Sequence, residues 1–150
     1  MTLNSKINLF TIALFLITTF SYAQKKGAQP FIISADVAIS KYHDREELET
    51  MQKGKLLTLY NRRIEVIIKI LPNIAFATKP GITMSSLGIP NTKENRSALQ
   101  DNIKATTTYF DNTIEFQKIV LPYSDKSNLI SAILFYEETL KALHTYDDFN

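Results

Sequence analysis

Apolar residues recur at helical spacing in three separate stretches of this chain of 150 residues, and this periodicity constrains the fold more than any other feature. In the first stretch, the side chains of one helical face are Leu57, Tyr60, Ile64, Ile67 and Leu71. Asp44 and Glu47 form an Asp-x-x-Glu capping box ahead of this stretch. Pro72 disfavours helical geometry in the residue before it. The sequence therefore predicts a helix over residues 44–71.

Two later stretches carry the same periodicity. In the second, one face consists of Leu99, Ile103, Thr106, Phe110, Ile114, Gln117 and Leu121. In the third, it consists of Leu129, Ile133, Tyr136, Leu140 and Leu143. We therefore expect helices over about 92–121 and 125–145. The connection between them is short, which predicts that they pack on each other as an antiparallel hairpin.

These elements predict an all-α fold, a small helical bundle with three main helices. An N-terminal arm precedes the first helix, and residues 72–91 form a long connection between the first two helices. Within this connection, Thr83 is expected to begin a single helical turn that ends at Gly88. A connection of this length can join helices that run in the same direction or in opposite directions. The sequence leaves the direction of the first pair open.

The first 23 residues are typical of a secretory signal peptide. Lys6 precedes an apolar run over residues 7–20, and Ser21-Tyr22-Ala23 places small side chains where a signal peptidase reads them. An uncleaved membrane anchor would need about 20 apolar residues, which is longer than this run. The sequence predicts cleavage near Ala23, a single helical domain over residues 24–150, no transmembrane segment after cleavage, and a periplasmic or extracellular location.

Composition excludes several classes of protein. The chain contains no cysteine, so a disulfide framework and a thiolate zinc site are both excluded. Its 17 basic and 15 acidic residues give a net charge of +2, without a sustained block of one sign. Nothing in this balance indicates binding to nucleic acid.

The two histidines suggest one metal-site hypothesis. His43 lies beside Asp44 ahead of the first helix, and His144 lies near Asp148 at the end of the last helix. These four residues would supply nitrogen and oxygen ligands if the two helix ends met. The alternative gives them ordinary roles, with Asp44 as a helix cap and His144 near the negative end of the helix dipole. No cofactor is predicted.

No motif indicates catalysis. The Glu-x-x-His motif of di-iron bundles is absent, and no serine motif of a known nucleophile occurs. Arg62 and Arg63 are interpreted as part of a solvated helix face, and Glu137 with Lys141 as an exposed pair of charges one turn apart. The sequence therefore favours a protein that is not an enzyme.

The apolar face of the first helix is broader than one neighbouring helix would cover, which predicts an interaction surface. The residues assigned to it are Leu56, Ile68, Phe76 and Ile82. We expect a protein-interaction or structural component of a bacterial envelope, whose partner is an envelope protein or a second copy of the chain. The alternative is a helical bundle that binds a small ligand or a metal.

Overall fold

A computed structural model of the chain describes residues 29–147, with side chains described as far as residue 143. The predicted signal peptide and Asp148 lie outside the described residues. The described elements are β1 (Phe31–Ile33), α1 (Arg45–Thr50), α2 (Lys53–Ile70), β2 (Ile82–Thr83), α3 (Lys93–Val120) and α4 (Lys126–Asp147). The predicted all-α bundle is confirmed, with a two-stranded sheet as a small addition.

The first predicted helix is divided into α1 and α2 at residues 51–52. Asp44 caps α1 as predicted, since its carboxylate accepts a hydrogen bond of 2.8 Å from the backbone N–H of Glu47. Met51 is then extended, and a new helix begins at Lys53. In one continuous helix, Met51 and Leu56 would point about 140° apart. The break lets both side chains enter the same apolar cluster.

Helices α2 and α4 form the centre of the fold and run parallel to each other. Near their amino-terminal ends, Leu56 shares a cluster with Leu129 and Ile133. Near their carboxyl ends, Ile70 shares a second cluster with Leu143. The order of contacts is the same on both helices, so their directions agree.

Helix α3 packs on α2 in the opposite direction. The ammonium group of Lys53, at the start of α2, donates a hydrogen bond of 2.6 Å to the carbonyl of Pro122, just beyond the end of α3. At the other end of α2, Ile68 lines a pocket together with Ile103 of α3. These contacts settle the direction that the sequence left open.

The predicted packing of α3 along α4 is wrong. A 3₁₀ turn over Leu121–Tyr123 joins the two helices, which run in opposite directions, but α3 contacts α2 and does not pack along the length of α4. The apolar side of α4 is already occupied, because Leu129, Ile133 and Leu140 are buried against α1 and α2 or against the arm. The short connection therefore predicts the direction of α4 correctly, but it does not predict which helix α4 packs against.

The arm and the long connection close the end of the bundle where α2 finishes. Strand β1 pairs antiparallel with β2, with Phe31 opposite Thr83. Val37, in a 3₁₀ turn of the arm, is fully buried in the cluster that contains Ile70. In the connection, a 3₁₀ turn over Ser85–Leu87 ends at Gly88 with a φ angle of 72°, which confirms the predicted end of the turn. Thr83 lies in β2, and its hydroxyl accepts a hydrogen bond of 3.3 Å from the backbone N–H of Ser86 in the turn.

Candidate functional sites: a buried ion cluster and the outer face of α3

A buried ion pair joins the middle of α2 to the middle of α4. The side chain of Arg63 is 4% exposed and that of Glu137 is 0% exposed. Arg63 donates two hydrogen bonds to Oε1 of Glu137, of 2.8 Å from Nε and 2.5 Å from Nη2. The two charges neutralise each other between the apolar clusters of the core.

The same ion pair holds the N-terminal arm. Oε2 of Glu137 accepts a hydrogen bond of 2.6 Å from the backbone N–H of His43, whose ring Nδ1 lies 3.1 Å from Oε1. Arg63 also donates to the carbonyl of Lys41 at 2.7 Å. Its neighbour Arg62 donates to the carbonyl of Asp36. Two consecutive arginines of α2 thus bind the backbone of the arm, and Glu137 fixes its last residues.

The surroundings of Glu137 keep its carboxylate ionised. Burial raises the pKa of this side chain, but the hydrogen bonds from His43 and the charge and hydrogen bonds of Arg63 outweigh that effect. The pKa is therefore held below its ordinary value of 4.5. Neither partner of the ion pair is open to solvent, so the role of this cluster is structural: it holds α2, α4 and the arm together.

The sequence interpretation of Arg63 and Glu137 as solvated residues is wrong. Lys141 pairs with Glu138 at 2.7 Å and not with Glu137. One pattern in the sequence indicates that these two residues are buried. Arg63 lies seven residues after Leu56 and seven before Ile70, in a row of core positions, and Glu137 occupies a core position of α4 in the same way.

The structure gives the predicted metal ligands separate roles where it describes them. His43 contacts Glu137, and the carboxylate of Asp44 caps α1. Among the described residues, no three His, Cys, Asp or Glu side chains lie close enough together to hold a metal ion. The side chain of His144 and the whole of Asp148 lie outside the described part of the chain, so the four-residue metal site stays a prediction.

The four residues predicted for partner binding differ in exposure. Leu56 is fully buried, which assigns it to the core. Ile68 and Ile82 are half-buried, the first at a pocket and the second in β2. Phe76, in the long connection, is the one of the four that exposes about half of its surface.

Two small pockets lie beside α2. One lies between the arm, α2, α4 and the long connection, with Tyr42, Val66 and Leu140 in its wall. The other lies between the arm, α2 and α3. Each has a volume of about 120 Å³. An apolar cavity of about 150 Å³ holds benzene, and sites for drug-sized ligands begin at about 300 Å³. These pockets therefore fit only very small molecules.

The outer face of α3 exposes a row of large apolar side chains, which we call the α3 stripe. Its members are Tyr109, Phe116, Ile119 and Val120, and Tyr123 in the turn that follows. Phe116 is 64% exposed and Tyr123 is 89% exposed. None of the 28 residues of α3, all within the described part of the chain, is buried. Sequence reasoning missed this stripe because it followed the other side of the helix; the signal was the seven-residue spacing of Tyr109, Phe116 and Tyr123.

Comparison of the chain with protein-family models, with curated proteins and with solved structures finds no match. Within the described residues, no helix combines the length and the apolar character needed to cross a membrane. The functional argument therefore rests on the geometry of the ion cluster and of the α3 stripe.

Replacement of Glu137 by Gln is expected to lower the free energy of unfolding by about 3 kcal/mol, because it leaves the charge of Arg63 buried without a partner. Urea denaturation followed by circular dichroism measures this loss. Glu138→Gln is the matched control, since its neighbouring carboxylate is exposed and pairs with Lys141. We expect that control to lose less than about 1 kcal/mol. Equal losses in the two variants would contradict the assigned role of Glu137.

The double variant Arg63→Met/Glu137→Leu should recover part of the stability that Glu137→Gln loses. No unpaired charge remains in the double variant, and apolar side chains of similar size often replace a buried ion pair without loss. Recovery should be incomplete, because the carbonyl of Lys41 and the N–H of His43 lose their partners. A double variant less stable than Glu137→Gln would show that the hydrogen bonds to the arm outweigh the charge.

The lowered pKa of Glu137 predicts that the protein loses stability in acid. Below a pH of about 4.5, the unfolded chain binds a proton at this residue before the folded chain does, so stability falls until the pH passes the pKa of the folded state. The midpoint of urea unfolding, measured between about pH 6 and pH 3, should fall less steeply in Glu137→Gln than in the parent chain. The slope of Glu138→Gln should match the parent. Identical slopes in all three would contradict the prediction.

Proposed function

We propose that this protein is a non-enzymatic interaction or structural component, which binds a helix of a protein partner through the α3 stripe. The observation that carries this proposal is a 28-residue helix that buries no residue in its own bundle and exposes a row of large apolar side chains. A helix usually forms in water because one apolar face is covered by tertiary packing. The apolar outer face of α3 favours a second covering surface supplied from outside the bundle.

The chemistry of the stripe favours a protein as the partner. Tyrosine and phenylalanine are enriched in protein interfaces, where charged residues are depleted. With about 200 Å² for each aromatic side chain, Tyr109, Phe116 and Tyr123 alone expose on the order of 400 Å². This is the size of the largest apolar patch on a typical monomer, about 300–600 Å², and such a patch often has a function.

Other parts of the molecule give less support to catalysis or ligand binding. The carboxylate of Glu137, the one fully buried acid among the described residues, is closed off from any substrate. The two pockets beside α2 are smaller than the sites that bind ordinary metabolites. These observations favour the interaction hypothesis over the alternative of a bundle that binds a small ligand or a metal.

We further propose that the protein acts in the periplasm or outside a bacterial cell, after removal of residues 1–23. Mass spectrometry of the exported protein should then find Gln24 as its first residue. Ala23→Arg should block cleavage, because a small side chain is required directly before the cut, while Tyr22→Phe should leave it unchanged. Retention of residues 1–23 in the exported parent chain would contradict the predicted cleavage, and a chain found only in the cytoplasm would contradict the proposed location.

A photoreactive side chain at Phe116 tests the interaction surface. We expect p-benzoylphenylalanine at this position to form a covalent adduct with a protein when producing cells are irradiated, because the stripe is covered in the cell. The matched control places the same group at Phe135 of α4, which is 68% exposed and lies outside the stripe. Adducts that form equally at both positions, or at neither, would contradict a binding role for the stripe.

A further inference from the structure

The outer face of α3 has the spacing of a coiled-coil seam. Ala98, Ala105, Tyr109, Asn112, Phe116 and Tyr123 are separated by steps of three, four or seven residues, and all of them are exposed. Such steps follow a repeat of 3.5 residues per turn, which keeps one side of a helix against a partner helix along its length. The seam continues the α3 stripe towards the start of the helix.

The sizes of the side chains change along the seam. The first half carries the small residues Ala98 and Ala105, and the second half carries the large residues Phe116 and Tyr123. On the basis of the proposed function, we infer that the partner of α3 is α3 of a second copy of this chain, bound antiparallel. In this arrangement Ala105 faces Phe116 of the second copy, and Ala98 faces its Tyr123.

The antiparallel direction follows from packing. In a parallel pair, Phe116 would meet Phe116 and Ala105 would meet Ala105, which crowds one end of the seam and leaves a gap at the other. Interfaces and cores both require dense packing without voids. The antiparallel pair places a large side chain opposite a small one at both ends, and Tyr109 beside Asn112 in the middle.

The charges beside the seam are compatible with this alignment. Asp101 and Glu115 flank the seam on the same side of α3. In the antiparallel pair, Glu115 faces Thr108 and Asp101 faces Pro122 of the second copy, so no acidic residue meets another. Like charges placed opposite each other would weaken association.

The area of the stripe suits a pair of identical chains. With about 200 Å² for each aromatic side chain, the exposed surface of the aromatic residues, Ile119 and Val120 amounts to on the order of 600 Å². A stable interface buries about 800 Å² on each partner. Ala98 and Ala105 in the first half of the seam are exposed as well and add to this area. A twofold axis would cover the stripes of both copies at once.

Cysteine cross-linking tests this inference, because the chain contains no cysteine of its own. The substitutions Ala105→Cys and Phe116→Cys are made separately in the full chain. The two exported variants are purified, mixed and oxidised. We expect a disulfide-linked dimer in the mixture and none in either variant alone. Two copies of Cys at position 105 would lie about 16 Å apart along the antiparallel helices, beyond the Cα separation of about 7 Å that a disulfide allows.

Any other outcome of the cross-linking experiment overturns the inference. Efficient cross-linking of each variant alone would show a parallel pair. Absence of a cross-link, together with a monomer in sedimentation equilibrium of the parent chain, would exclude a second copy. In that case, an adduct between the photoreactive residue at position 116 and a different protein would still support the proposed function. Absence of any adduct would contradict both the proposed function and the inference of a second copy.

A size exchange gives a second measurement that needs no disulfide. Ala105→Phe places two large side chains opposite each other, and this overpacking should weaken dimerisation at least about tenfold. The double variant Ala105→Phe/Phe116→Ala restores one large and one small partner and should recover most of that loss. Circular dichroism confirms that each variant keeps its helical content. A double variant that dimerises no better than Ala105→Phe would overturn the proposed alignment.

Discussion

The ion pair between Arg63 and Glu137 determines how the arm, α2 and α4 meet. Two charges taken out of water lose hydration, and their attraction offsets that loss only where the geometry is good and the remaining hydrogen-bonding groups find partners. Here the second carboxylate oxygen binds the N–H of His43, and the guanidinium also reaches the carbonyl of Lys41. A shift of α2 against α4 by one turn would move the charges about 5.4 Å apart and leave both without a partner. The pair therefore fixes one register of the two central helices.

The parallel arrangement of α2 and α4 explains the place of α3. Because α2 and α4 run in the same direction, the chain between them must return along the whole length of the bundle. Helix α3 makes this return. At 28 residues it is about 42 Å long, against about 27 Å for the 18 residues of α2. Since α4 and the arm already cover much of α2, α3 packs on the remaining side. Its outer face is left without a neighbour in the described part of the molecule.

The sequence revealed elements whose signals are local. The cap at Asp44, the helix ends before Pro72 and Pro122, and the turn at Gly88 each depend on neighbouring residues, and all are present in the structure. Features that depend on distant residues were missed. The row of core positions around Arg63 indicates that it is buried, but not that its charge is paired with Glu137, 74 residues away. The packing of α3 was mispredicted for the same reason, because chain proximity to α4 does not show that α2 occupies the face concerned.

Helix α3 carries apolar side chains on two sides, one packed towards α2 and one exposed to solvent. The side towards α2 includes the polar residues Thr113 and Gln117, both half-buried, and the buried Oε1 of Gln117 accepts no hydrogen bond from the described chain. Phe110 and Ile114, on the same helical face as Ile103, are half-buried, whereas the residues of the α3 stripe are exposed. Local stability follows the number of buried apolar contacts, so α3 is the long helix least firmly held by the bundle. A partner that covered the stripe would add apolar burial to this helix, and binding would therefore stabilise α3 as well as join the two chains.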